Sequence, residues 1–143
     1  MNPRELCQLA ARLVDGGSPA ELRTAISRAY YTVYLVAVEL LDGMGFPVNQ
    51  GPGGHGDVQR HLNNSGDMDL QHVSSQLVGL HSKRIRADYH LDKKDVENPK
   101  TARALVTQAF QMIETLDRCC SGEQRITIIQ GITNQYFGQN SGS

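Results

Sequence analysis

The residues with most chemistry to offer stand close together in Arg84-Ile85-Arg86-Ala87-Asp88-Tyr89-His90, near the end of the stretch LVGLHSKRIRADYHL (77–91). Imidazole moves protons near neutral pH, and a guanidinium stabilises charge on phosphate oxygens. With Arg84, Arg86, Asp88, His90 and the nearby His81 in one stretch, a histidine near an arginine is a candidate for phosphodiester chemistry. No cluster of carboxylates in the sequence suggests a metal site, and nothing calls for a cofactor. Such chemistry would be metal-independent and would use the 2′-hydroxyl of RNA as its nucleophile.

Helical phase decides how these side chains can be presented. At about 100° per residue, Val73, Leu77, Leu80, Ala87 and Leu91 share one apolar stripe, and Arg84 and Asp88 fall inside it. A pair of this kind contributes only about 0.2–0.5 kcal/mol on an exposed helix; buried, its disruption costs several times more. His81 projects with Arg84 and Asp88, whereas Lys83, Arg86 and His90 project to the other side, where a solvated surface would show the same residue types. On an ideal helix Arg84 and His90 lie about 120° apart, so they converge only at a helix end or across an interface. Val78, Ile85 and Tyr89 form a second apolar stripe, suited to a second packing face.

Other polar groups have quieter readings. Arg28 in Ser27-Arg28-Ala29-Tyr30-Tyr31 fits an arginine that hydrogen-bonds helices together, and Tyr30 and Tyr31 fit core aromatics with satisfied hydroxyls. His55 in GGHGD fits a capping or loop-anchoring histidine. Gly51–Gly56 lacks the lysine and Ser/Thr of a phosphate-binding loop. Cys7, Cys119 and Cys120 form no disulfide framework and have no metal-ligand spacing.

The elements that must position these groups are helices. Asn2–Val14 carries leucines at helical spacing and ends at Gly16-Gly17. Ser18-Pro19-Ala20-Glu21 is a capping box with proline at the first helical position, and the helix it opens runs to Gly43 and is apolar enough to be central. Met44–Gly56 is a glycine-rich loop, followed by a short helix around Val58–Leu62 with Asp57 as its cap. Asp67 caps the long helix of the opening stretch, and Asn98-Pro99 starts an amphipathic helix carrying Ala102, Leu105, Ala109, Met112, Ile113 and Leu116. Beyond Gly122 the pattern is ambiguous: Ile126–Ile129 suits a strand, the following GITNQYF suits a helix, and Gln139–Ser143 reads as disordered. The expectation is an all-α, up-and-down bundle of four to five antiparallel helices over residues 1–121, with 122–143 as a C-terminal extension. The chain has 143 residues, 39% apolar and 20% charged, with a formal net charge of −1, which suits a soluble single domain and advertises no nucleic-acid binder by bulk charge. With no bilayer-length apolar run and no signal-peptide core, a cytoplasmic location is expected.

Three segments in order also resemble the HEPN superfamily, small helical domains of bacteria and archaea. AELRTAISRAYYTVY (20–34) is similar to its second-helix signature, GGHGDV (53–58) to its histidine-glycine segment, and RIRADYH (84–90) to its Arg…Ala-Asp-Tyr signature. The resemblance covers roughly residues 4–118 and implies a dimer. Many members are metal-independent endoribonucleases with an Arg-x(4–6)-His motif from each protomer at the two-fold interface, here Arg84 and His90, with Arg28, Tyr31, His55, Arg86, Asp88 and Tyr89 in supporting or binding roles. The usual polar residue after the arginine is replaced by Ile85. Members are often paired with small nucleotidyltransferases as toxin and antitoxin. A second branch is non-catalytic and binds a nucleotide or a nucleotidyltransferase partner, and the residues alone leave both open.

Overall fold

The computed structural model describes the backbone of residues 1–141 and the side chains through Gln135. Among the described residues there are six α-helices and no strand: α1 (Glu5–Gly16), α2 (Pro19–Gly43), α3 (Gly54–Asn64), α4 (Met68–Tyr89), α5 (Pro99–Cys119) and α6 (Gly122–Ser141), with a 3₁₀ turn at Asp95–Glu97. The described residues are all-α: five of the helices, α1–α5, lie within residues 1–121, in line with the four to five expected there, and α6 lies beyond them. No described helix is long and apolar enough to cross a membrane.

The helix starts follow their caps. The Glu21 amide donates to Ser18 Oγ and the Ser18 amide to Glu21 Oε1, each at 3.2 Å, a reciprocal capping box that satisfies two otherwise orphaned donors. Asp67 Oδ2 accepts from the Leu70 amide at 2.9 Å and opens α4. Gly17, at φ 77°, ends α1 in the left-handed region that glycine enters without a Cβ penalty.

Two elements depart from expectation. Helix α3 starts at Gly54, ahead of Asp57, whose carboxylate accepts from the Asn49 amide and pairs with Arg60 instead of capping. Ile126–Ile129 is helix, not strand: Ile128 and Ile132 are buried four residues apart, whereas Ile126, which would share a strand face with Ile128, is exposed. The disorder expected for Gln139–Ser143 falls on residues whose backbone is helical through Ser141; Gly142 and Ser143 lie outside the described residues.

The chain forms two compact units, Met1–Val36 with Leu77–Ile113, and Ala37–Gln76 with Glu114–Ser143. Helix α6 falls in the unit that also takes in α3. The boundary was hidden because α2, α4 and α5 each run unbroken from one unit into the other.

In the first unit, Leu22, Ile26, Ala29, Val33, Leu77, Leu80, Ala87, Ala109 and Met112 are buried. Arg23, buried with them, holds the C-terminal end of α4. Its Nη1 donates to the carbonyls of Arg86, Ala87 and His90 at 3.3, 2.9 and 3.3 Å. Its Nη2 donates to those of Leu91 and Lys93 at 3.2 and 2.7 Å, and the Glu97 carboxylate neutralises it at 2.7 Å. A helix end leaves its last carbonyls without intrahelical donors; here one planar guanidinium supplies them from another helix. The same hydrogen bond from Arg23, first among the causes, holds the Glu97 carboxyl below its usual range.

In the second unit, α3 and α6 pack together, and Gly131 of α6 passes so close to the Ser65 carbonyl that a Cβ would collide with backbone. Arg125 Nη2 donates to the Gly43 carbonyl at 2.8 Å and closes the end of α2.

Two predictions follow from these contacts. Arg23→Met should remove the guanidinium from Glu97 and from five carbonyls, leaving those of Ala87, Leu91 and Lys93 without it, and lower unfolding free energy by about 3–5 kcal/mol, read by urea denaturation; Arg23→Lys should recover little, because an ammonium cannot reproduce the fork. Gly131→Ala should cost about 1–3 kcal/mol through overpacking. Gly79→Ala, in α4 with nothing within 4 Å of the added carbon, should gain about 0.5–1 kcal/mol. Equal melting temperatures for the two alanine variants would contradict the close approach.

Candidate functional site

The side chains at the end of α4 divide into two groups. Arg84 turns into a cluster of tyrosines from α2. Its Nη2 donates to the Tyr31 hydroxyl at 2.5 Å, and its Cζ lies 4.9, 5.9 and 5.5 Å from the ring centres of Tyr31, Tyr30 and Tyr89. Arg28 Cζ lies 5.1 Å from the Tyr31 ring, so one phenol ring is within cation–π range of two guanidiniums. Tyr30 stacks on Tyr34 at 5.9 Å and meets Tyr31 edge-on at 5.2 Å. Burial, and secondarily the neighbouring phenols Tyr34 and Tyr31, push the Tyr30 hydroxyl well above its ordinary range, so it stays protonated.

Arg84 Nε stands 2.8 Å from Asp88 Oδ2, and Asp88 also accepts from the buried Ser27 hydroxyl at 3.2 Å. The Nε–H does not point along the ion-pair contact, and it makes no hydrogen bond. The pair is only partly buried, with side-chain exposures of 16% for Arg84 and 27% for Asp88. The stripe expected to bury it ends early, because α4 stops at Tyr89, and Leu91 beyond it is exposed. Arg28 Nε is likewise buried without a hydrogen-bond partner.

The second group faces an open groove of about 340 Å³ lined by Val78, His81, Ser82, Ile85, Arg86 and His90. His90 lies just past the end of α4 and is exposed; its amide donates to the Arg86 carbonyl at 3.1 Å and its own carbonyl accepts from Arg23. Arg86 is oriented by Asp95, Nε to Oδ1 at 2.8 Å, and Lys83 also reaches that carboxylate, at 3.5 Å. His81 packs on Tyr30, with ring centres 5.0 Å apart. Burial first, then the Arg84 cation, lowers the His81 pKa. The wall of the groove thus holds two imidazoles, one guanidinium and one hydroxyl.

No protein-family model, curated protein or solved structure matches the chain. The candidate site therefore rests on its own geometry. Of the residues singled out in the sequence, Arg28, Tyr31, Arg84, Asp88 and Tyr89 come together around the tyrosine cluster, and Arg86 and His90 come together in the groove. Arg84 does not line the groove that His90 lines. His55, in the first turn of α3, belongs to the second unit. His81 carries a signal in the sequence, its projection beside Arg84; Arg23 carries none, because its partners lie more than sixty residues away.

The second unit has two groupings of its own. A cavity of about 560 Å³ is lined by Gly45, Phe46, Pro47, Asp57, Arg60, His61 and Thr133, but its two charged groups, Asp57 and Arg60, pair with each other at 2.6 Å. Asp67, Asp69 and Cys119 place ligand-type atoms within 4.8 Å of one another. Those atoms are already engaged: Asp67 caps α4 and accepts from Gln124, Asp69 takes Arg118 at 3.2 Å, and burial pushes the Cys119 thiol up to about 11.

Because Asp88 is open to water, Asp88→Ala should cost about 1–2 kcal/mol, between the surface and buried limits for a charge pair. A change in urea midpoint equivalent to more than about 3 kcal/mol would show that the pair behaves as fully buried.

Proposed function

We propose that the chain is a HEPN-like domain that cleaves RNA without a metal ion, with His90 as a proton-transferring residue and a homodimer as the working form. The observation that carries this reading is the exposed imidazole of His90, held past the end of α4 in a groove that also presents the Arg86 guanidinium. An imidazole beside a guanidinium is the minimum set for attack of a 2′-hydroxyl on the adjacent phosphorus. Support for the dimer comes from exposed apolar side chains of α4 and the residues after it: Val78, Tyr89 and Leu91 are 43%, 68% and 67% exposed. A toxin role opposite a nucleotidyltransferase antitoxin belongs to the same reading and rests on the resemblance.

One observation favours a second reading. Arg84, the arginine of the Arg-x(4–6)-His motif, is engaged by Tyr31, Asp88 and three aromatic rings, as expected for a non-catalytic module that binds a nucleotide or a nucleotidyltransferase.

Purified protein incubated with RNA in EDTA should release products ending in a 2′,3′-cyclic phosphate. His90→Ala should slow that release by roughly 10²–10⁴-fold, the usual share of acid–base catalysis, with no loss of folding. Undiminished cleavage by His90→Ala would remove the catalytic assignment, and no cleavage by folded wild type would favour the binding module. Light scattering at micromolar concentration should show twice the 15.7 kDa chain mass; a strict monomer would exclude a two-fold site.

A further inference from the structure

We infer that the cavity lined by α3, α6 and the loop after α2 is a binding site for an uncharged aromatic or heteroaromatic small molecule, held against the Phe46 and His61 rings and hydrogen-bonded by His61 and Thr133. All of its described wall residues belong to the second unit, so the site stands independently of the ribonuclease reading.

The backbone holds this cavity in shape. Helix α2 ends in a Schellman arrangement: the Gly45 amide donates to the Asp42 carbonyl at 3.0 Å and the Phe46 amide to that of Leu41 at 2.9 Å. Gly45, at φ 94°, supplies the left-handed residue this ending needs. Arg125 of α6 holds the same helix end through the Gly43 carbonyl. Phe46 is therefore fixed as it leaves α2, and its ring stands 5.6 Å from that of His61, with the planes 39° apart. The close approach of Gly131 to Ser65 sets α6 against the residue that ends α3, and Thr133, two residues further along α6, lines the cavity. A volume of about 560 Å³ is within the range of small-ligand sites, and a wall fixed in advance loses little freedom when a ligand enters.

Charge and hydrogen bonding define the ligand. Among the described wall residues the charges are Asp57 and Arg60, three apart on α3, and each meets the other: Arg60 Nη2 donates to Asp57 Oδ1 at 2.6 Å. The other carboxylate oxygen accepts from the Asn49 amide at 2.9 Å. That amide first, then Arg60, holds the Asp57 carboxyl below its usual range, so it stays ionised and the pair stays neutral overall. An entering anion finds the guanidinium taken and an entering cation finds the carboxylate taken, so either loses its water without gaining a free counter-charge. The His61 imidazole is half-buried and makes no hydrogen bond to the described residues. Burial first, then the Arg60 cation, lowers its pKa and favours the neutral ring, which offers one donor and one acceptor. The Thr133 hydroxyl likewise has no partner among the described residues. A flat ring with a polar N–H edge matches this wall: its face meets Phe46 and the imidazole, and its edge meets the open nitrogen and hydroxyl.

The test is an NMR titration of the full-length protein at neutral pH with three probes built on one ring: indole, which is uncharged, indole-3-acetate, an anion, and tryptamine, a cation. Indole should shift the Phe46 and His61 ring resonances and the Thr133 methyl along one saturation curve, with a Kd of about 1 mM or lower. The two charged probes should bind at least about tenfold more weakly. His61→Phe keeps a ring and removes both nitrogens, and should weaken indole by roughly two- to tenfold, the share of one hydrogen bond. Asp57→Asn frees Arg60 and should reverse the preference, so that indole-3-acetate binds more tightly than indole; Arg60→Gln should do the same for tryptamine. Arg60 is exposed, so its variant carries the charge test if Asp57→Asn fails to fold, which far-UV circular dichroism reports. Tighter binding of a charged probe to wild type, or an unchanged preference in the folded charge variants, would overturn the assignment to an uncharged ligand. No saturable shift of Phe46, His61 and Thr133 with indole would overturn the site itself.

Discussion

The arrangement at the end of α4 depends on a single buried cation from another helix. Arg23 of α2 gathers five carbonyls of α4 and the loop after it, and Glu97 neutralises it. An unpaired charge would not survive at that burial, and a helix end without donors would not be held there. The two problems solve each other. One of the five carbonyls is that of His90 itself, so the backbone carrying the candidate catalytic imidazole is fixed from behind while its side chain remains at the surface.

The same segment sends its two arginines into different surroundings. Arg84 and Arg86 are two residues apart, so they leave α4 on different sides. Arg84 spends its guanidinium on Tyr31, Asp88 and the aromatic rings. Arg86 is tethered at one nitrogen by an exposed carboxylate and lines the groove. A guanidinium fixed in one orientation with free donors is pre-organised for a phosphate, because less rotamer freedom is lost on binding. On this account the tyrosine cluster is scaffold, and the chemistry lies on the other flank of the helix.

The local features were the legible ones. The capping box at Ser18 and Glu21, the Asp67 cap and the Arg84–Asp88 pair all involve residues three or four apart, where spacing determines contact. Arg23 was not legible, since its role is to cap carbonyls of a distant helix and a sequence does not show which end it will meet. The groove was half legible: His90 and Arg86 could be phased together, but His81 is phased nearer to Arg84, and only the folded helix shows that it lines the same groove. The first half of α6 is ambiguous in sequence because a short β-branched run fits either period until burial shows which isoleucines turn inward. The resemblance to HEPN domains pointed to this segment of the chain, while the choice between Arg84 and Arg86 came from side-chain contacts alone.

The central claim is that substrate meets the groove and not the tyrosine cluster. Side-chain NMR during titration with a non-cleavable 2′-deoxy oligonucleotide tests it directly. The imidazole resonances of His81 and His90 and the Arg86 Nε–H should move together and saturate at one concentration, while the Arg84 Nε–H stays in place. Movement of Arg84 with the two imidazoles unaffected would contradict the account.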